Sequence, residues 1–182
     1  MELDPGVVQV VRDYFGFDGR VIIDDARSHI RRTAKRYDLV FFDVLNGFSV
    51  APHLLTREAF AEVKAILAPK GILTVNTLGF ESHLKTDDPY EKAIFRTLKA
   101  VFAHVYVKTT GYGFQNFVFY CSDEPLTLDG RFVTIEIIPD RDTPILTDDY
   151  NPVASLTVAN GEAFRKSCMR SFGQVVLSRK DS

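Results

Sequence analysis

Tyr37-Asp38-Leu39-Val40-Phe41-Phe42-Asp43 is an almost unbroken hydrophobic run that ends in a carboxylate. Apolar character that runs on without alternation is what a strand covered on both faces requires. A carboxylate closing such a strand is costly unless it meets solvent, a partner or a ligand. Asp43 is therefore the leading functional candidate. Just downstream, Thr56 precedes a helical stripe of Phe60, Val63, Ile66 and Leu67, which Pro69 and Gly71 end. Ile72-Leu73-Thr74-Val75-Asn76 then reads as a second buried strand. Strand, helix and strand in this order form the crossover unit that lays parallel strands side by side.

The same alternation extends in both directions. Upstream, Val21-Ile22-Ile23 is a short apolar run closed by Asp24-Asp25, and a helix follows over residues 26–33. Earlier still, Asp4 caps and Pro5 opens a helix whose apolar positions, Val7, Val8, Val11, Tyr14 and Phe15, share one face. Downstream, Asp88-Pro89-Tyr90-Glu91 has the form of a capping box and opens a helix burying Tyr90, Ile94, Leu98, Val101 and Phe102. Val105 to Thr109 and Phe114 to Tyr120 follow, joined through Gly111-Tyr112-Gly113. So short a link requires an antiparallel hairpin. The expected fold is α/β: a doubly wound, mostly parallel sheet closed by an antiparallel hairpin. It occupies residues 1–124, with 125–182 as a C-terminal extension. In that extension Val133, Ile135 and Ile137 alternate like a half-exposed strand, and Asn160 is expected to cap a last helix burying Phe164, Cys168 and Phe172.

Composition narrows the function. With 182 residues, 22 basic and 24 acidic side chains and a net charge of −2, the chain does not have the balance of a nucleic-acid binder. Cys121 and Cys168 make no disulfide framework, and His29, His53, His83 and His104 lack metal-ligand spacing, so no metal is expected. No stretch approaches the ~20 apolar residues that span a bilayer. The acidic Met1-Glu2-Leu3-Asp4 start does not resemble a secretory signal. A cytoplasmic protein with no membrane contact is expected.

In open α/β sheets the ligand lies beyond the carboxyl ends of the strands. Those positions hold Glu2, Asp4, Asp24, Asp25, Asp43, Asn46 and Asn76, groups suited to a nucleoside and to cations. An acid that binds a ribose diol stands about 20 residues after a glycine-rich loop. Glu2 is the candidate, and the lone GxG, Gly111-Tyr112-Gly113, reads as a turn. The sheet is therefore expected to lack its first strand. The unpaired edges this leaves invite association, and a homodimer is expected.

Met1-Glu2-Leu3-Asp4-Pro5, Val21-Ile22-Ile23-Asp24-Asp25-Ala26, the Tyr37–Val44 strand and Leu67-Ala68-Pro69-Lys70-Gly71-Ile72-Leu73 together resemble the spermidine synthase (polyamine aminopropyltransferase) family. That family lies within the S-adenosylmethionine-dependent methyltransferase folds, which are Rossmann-like. The resemblance implies that Glu2 bonds the ribose of an adenosyl group and that Asp25 and Ala26 meet the adenine. It also implies that Asp43 is the catalytic residue facing the sulfonium and the acceptor amine. The implied donor is decarboxylated S-adenosylmethionine or S-adenosylmethionine, and the implied acceptor is a polyamine or another amine. The family's second aspartate, the implied proton acceptor, corresponds here to Asn46, and an amide cannot take a proton at neutral pH. Two other readings stand beside aminopropyl transfer. One is a methyltransferase acting on a small molecule, and the other is a non-catalytic remnant or assembly partner.

Overall fold

A computed structural model describes residues 1–43, 45–46, 49–81, 88–109, 113–130, 132–158, 160–162 and 164–166. The Tyr37 run forms strand β1 (Tyr37–Phe42), and the two-residue strands β2 (Leu45–Asn46) and β3 (Ser49–Val50) follow it as a small antiparallel pair. β4 (Leu67–Glu81) lies parallel to β1. The hairpin of β5 (His104–Thr109) and β6 (Gly113–Ser122) continues the sheet, and β7 (Val133–Thr134) pairs with β5. The sheet order is β1-β4-β6-β5-β7. The apex of the expected hairpin turn, Gly111-Tyr112, lies outside the described residues.

The helices start where the chain provides caps. In α1 (Pro5–Phe15) the Asp4 carboxylate accepts from the Gly6 N–H at 2.7 Å, and Gly16 ends the helix at a left-handed φ of 65°. α2 (Ala26–Arg32) is capped by Asp25, α3 (Arg57–Ile66) by Thr56, and α4 (Pro89–Lys99) by Asp88. α3 and α4 cover one face of the sheet. There Leu73 and Val75 of β4 and Phe117, Phe119 and Cys121 of β6 pack with Phe60, Val63, Ile94 and Leu98. All nine are fully buried, and each large side chain contributes roughly 1.5–3 kcal/mol of transfer free energy.

Over β1 the opposite face has no cover among the described residues, and here the structure departs from the sequence expectations. β1 is not sandwiched: Leu39 is 58% and Phe41 55% exposed, because no described element lies over them. For the same reason α1 buries only Val8, and Tyr14 and Phe15 are open to solvent. The sheet is also not mostly parallel. One ladder, β1 with β4, is parallel, and the three others are antiparallel. Val21-Ile22-Ile23 does not join it. A groove separates this run from β1, so its pairing is confined to an isolated parallel bridge between Glu2 and Ile23. Among the described residues no strand fills that groove.

Two further expectations shift. Asn160 is not a cap: the C-terminal helical stretch opens earlier, with α5 (Val153–Leu156) after Pro152, and the buried Asn160 amide donates to the Asp88 carboxylate. Cys168 and Phe172 lie outside the described residues. The capping box is half formed. Asp88 accepts from the Tyr90 N–H, but Glu91 is drawn into the core, where its Oε2 is hydrogen-bonded to Thr77 Oγ1 at 2.7 Å.

Candidate functional site

The register of the parallel pair places the leading candidate. Phe42 stands opposite Val75, so Asp43, just past the carboxyl end of β1, and Asn76, within β4 where its ladder with β1 stops, emerge side by side. Asn76 Nδ2 donates to Asp43 Oδ1 at 3.0 Å. A carboxylate can only accept, which fixes the amide orientation. Asn76 Oδ1 is therefore left buried with no hydrogen-bond partner. An orphaned buried acceptor beside an exposed carboxylate is an unusual and costly arrangement. Of the two, the exposed Asp43 carboxylate is the one open to a ligand that brings N–H donors.

Asp25 and Ala26 sit at the start of α2. Asp25 Oδ1 accepts from the Ser28 N–H at 2.8 Å, and Oδ2 lies 3.2 Å from His53 Nε2. The Ser28 N–H and, secondarily, His53 hold the Asp25 carboxyl below its ordinary range. Ala26 and Asp43 line one groove of about 560 Å³, together with Met1, Ile22, Tyr37 and Phe42. That is nucleoside scale. Glu2 adjoins the groove through its backbone: its N–H donates to the Ile22 carbonyl, and its own carbonyl accepts from the Asp24 N–H. Its Oε1 is occupied by the Leu3 and Asp4 N–H groups at 2.8 and 3.0 Å. The structure thus brings Ala26 and Asp43 into a shared hollow and ranges Glu2 and Asp25 along its margin as backbone caps. The hollow fits an adenosyl group in volume, and Asp43 is the carboxylate on its wall.

A further cluster supports this margin. The buried Arg27 guanidinium bonds both oxygens of Asp148 at 2.7 Å, and reaches Glu62 at 2.9 and 3.0 Å and the His53 carbonyl at 3.0 Å. These contacts raise the Arg27 pKa and lower those of Asp148 and Glu62. Asp148 belongs to the Thr147–Tyr150 turn, in which the Thr147 N–H donates to the Tyr150 carbonyl at 2.9 Å. Sequence reasoning singled out neither Arg27 nor its role. The available signal was that Arg27 stands three residues before Ile30, on the helix face turned to the core. Among the described residues no three His, Cys, Asp or Glu side chains gather as metal ligands, and no helix is long and apolar enough to cross a membrane.

The α/β sheet superposes on proteins of the S-adenosylmethionine-dependent methyltransferase fold, and the chain shares that fold. Comparison with known proteins carries this to a family. Residues 1–126 match the spermine/spermidine synthase domain, and the chain belongs to that family. It is 36% identical over 105 residues to a polyamine aminopropyltransferase of Vibrio vulnificus, covering 54% of this chain and 34% of that protein. It is 30% identical over 136 residues to the eEF1A lysine and N-terminal methyltransferase of Bos taurus, covering 66% of this chain and 18% of that one. The chain thus spans about a third or less of these relatives. Among solved structures, a probable spermidine synthase from Corynebacterium glutamicum superposes with a TM-score of 0.59 at 24% identity, over 69% of this chain and 47% of that one. Human methyltransferase-like protein 13 in complex with SAH does so with 0.55 at 21% identity, over 91% and 68%.

Proposed function

We propose that this domain binds an adenosyl sulfonium donor at the groove bordered by Ala26 and Asp43 and directs its alkyl group onto an amine, with aminopropyl transfer as the reaction. The observation that carries the reading is the Asp43–Asn76 pair, a carboxylate joined to a buried acceptor that lacks a donor. An alkylammonium or amine nitrogen supplies several N–H donors and is cationic when protonated, so it answers the Asp43 carboxylate that Asn76 holds in place. The donor contributes an electrophilic carbon beside its sulfonium; when it is bound, the C–S bond breaks as the new C–N bond forms. The chain's own part is to hold the amine with Asp43 and Asn76, keep its lone pair directed at that carbon, and offer the carboxylate for the proton it sheds. Asp25 and Ala26 are assigned to the adenine and Glu2 to the ribose. The acceptor is a polyamine or another small amine, and the setting is cytoplasmic.

Methyl transfer is the second reading, favoured by the methyltransferases among the similar proteins. A labelling experiment separates the two. Protein is incubated with putrescine and either decarboxylated S-adenosylmethionine labelled in the aminopropyl group or S-adenosylmethionine labelled in the methyl group. Aminopropyl label in the amine, with release of methylthioadenosine, supports the proposal. Methyl label supports the second reading, and no label from either donor overturns both. Asn46→Asp supplies a carboxylate at the second position and should raise the aminopropyl rate at least tenfold.

A further inference from the structure

Lys108 of β5 is buried and holds no carboxylate. It is 9% exposed, and among the described residues its Nζ donates only to two backbone carbonyls, that of Phe132 at 3.2 Å and that of Asp129 at 3.4 Å. Two other basic side chains buried to this degree, Arg27 and Lys92, both pair with a carboxylate, Asp148 and Asp140 respectively. An ammonium taken out of water without a counter-charge is costly. It also carries three N–H donors, of which the carbonyls use two. Lys108 lines a pocket of about 270 Å³ whose other walls include Phe41, Asn76, Val118, Tyr120 and Phe132.

The sheet register joins this pocket to the candidate site. Asn76 stands opposite Val118, and Val118 opposite Lys108, so the three form one row across β4, β6 and β5. Residues directly opposite each other in a ladder lie on the same face. Asp43 extends the row, since Asn76 donates to it at 3.0 Å. The row thus has an anion at one end and a cation at the other, with apolar Val118 between them. At the spacing of neighbouring strands their Cα atoms are about 14 Å apart. Phe41 borders both ends, because it lines this pocket as well as the groove that bears Asp43.

We infer that the acceptor is an amine that also carries a carboxylate, an ω-amino acid whose ammonium meets Asp43 and whose carboxylate meets Lys108. Its methylene chain crosses Val118 beside Phe41. The inference rests on the transferase reading for the role of the amine, and it narrows the acceptor within that reading. A polyamine would bring a second cation to the place where Lys108 already stands as one, and like charges there repel. A carboxylate instead neutralises the ammonium and accepts its remaining N–H, a charge-assisted bond.

The test is calorimetric titration of the full chain with three ligands and no nucleoside. They are ε-aminocaproate, hexanoate, which lacks the amine, and cadaverine, which has a second amine in place of the carboxylate on the same methylene chain. The expected result is saturable binding of ε-aminocaproate, at least tenfold tighter than of either of the others. Lys108→Gln should weaken ε-aminocaproate at least tenfold, and Lys108→Arg, which keeps the charge, should restore most of that loss. Asp43→Asn should weaken ε-aminocaproate and leave hexanoate unchanged. Should Lys108→Gln fail to fold, the ranking of the three ligands on the wild-type chain decides. Cadaverine bound as tightly as ε-aminocaproate, equal affinity in Lys108→Gln, or no binding of ε-aminocaproate overturns the inference. A chain that ranks the ligands as expected but transfers no label from either sulfonium donor contradicts the transferase reading alone.

Discussion

Arg27 and Asp148, 121 residues apart, form a parallel two-pronged pair with both N–O distances at 2.7 Å. The pair ties α2 to the Thr147–Tyr150 turn, and Glu62 and Thr56 complete the cluster from α3 and its cap. Because Arg27 also holds the His53 carbonyl, and His53 contacts Asp25, the margin of the groove is braced from the C-terminal side of the chain.

Asp148→Ala leaves a buried guanidinium with three of its five hydrogen bonds. The expected loss is about 2 kcal/mol, less than the ~3–5 for a wholly buried pair because water screens the partly exposed carboxylate. The Arg27 and Thr56 contacts hold the Asp148 pKa down to about 2, from an ordinary value of 3.8. A lowered carboxyl pKa stabilises the fold above the unfolded value, and that stability is lost as pH falls from about 3.8 towards 2. Urea unfolding of wild type and variant should therefore differ at pH 7 and converge near pH 2.

Glu91 behaves in the opposite sense. It is fully buried, Oε1 has no partner, and burial, with Asp88 adding to it, raises its pKa well above the ordinary 4.5. As a neutral acid it can donate to Thr77 Oγ1, which frees the Thr77 hydroxyl to donate to the Phe117 carbonyl at 3.3 Å. The folded state then keeps a proton that the unfolded chain releases above about 4.5, so stability falls as pH rises from there. Glu91→Gln should remove this slope. It should stabilise the protein by about 1–3 kcal/mol at pH 8 and change little at pH 4, as read from thermal unfolding across that range.

Gly79 is set by the same acid. A Cβ there would lie 2.7 Å from Glu91 Oε1 and 2.9 Å from its Cγ. Gly79→Ala should cost about 1–3 kcal/mol. Combined with Glu91→Ala, the loss should be smaller than the sum of the two single effects, a coupling that a double-mutant cycle in urea measures.

Much of the fold was legible because its signals are local. Asp4, Thr56 and Asp88 each cap the helix that the pattern assigns to them, whereas Asp25, assigned to a ligand, is found as the cap of α2. The hydrophobic runs at Leu39 and Leu73 each became strands, and the short link after Thr109 did produce an antiparallel pair. What the runs could not show is which face finds a cover. Leu39, Phe41, Tyr14 and Phe15 have the pattern of buried residues, but burial depends on a second element that the described chain does not place over them. The site was legible in the same measure. Asp43 follows from the rule about carboxyl ends and Ala26 from the family resemblance, and both line the groove. Glu2 and Asp25 were chosen by the same rule, but the nearest N–H groups hold their carboxylates. The Arg27–Asp148 pair bridges too long a stretch of sequence for any spacing argument to reach.

The central claim is that the groove at the carboxyl end of β1, with Asp43 on its wall, holds an adenosyl sulfonium and its amine partner. The most direct test is calorimetric titration of the chain with decarboxylated S-adenosylmethionine, repeated on Asp43→Asn. The account predicts saturable heat at one site per chain, with affinity at least tenfold weaker once the carboxylate becomes an amide. An absence of heat in the wild-type chain, or equal affinity in the two proteins, would contradict it.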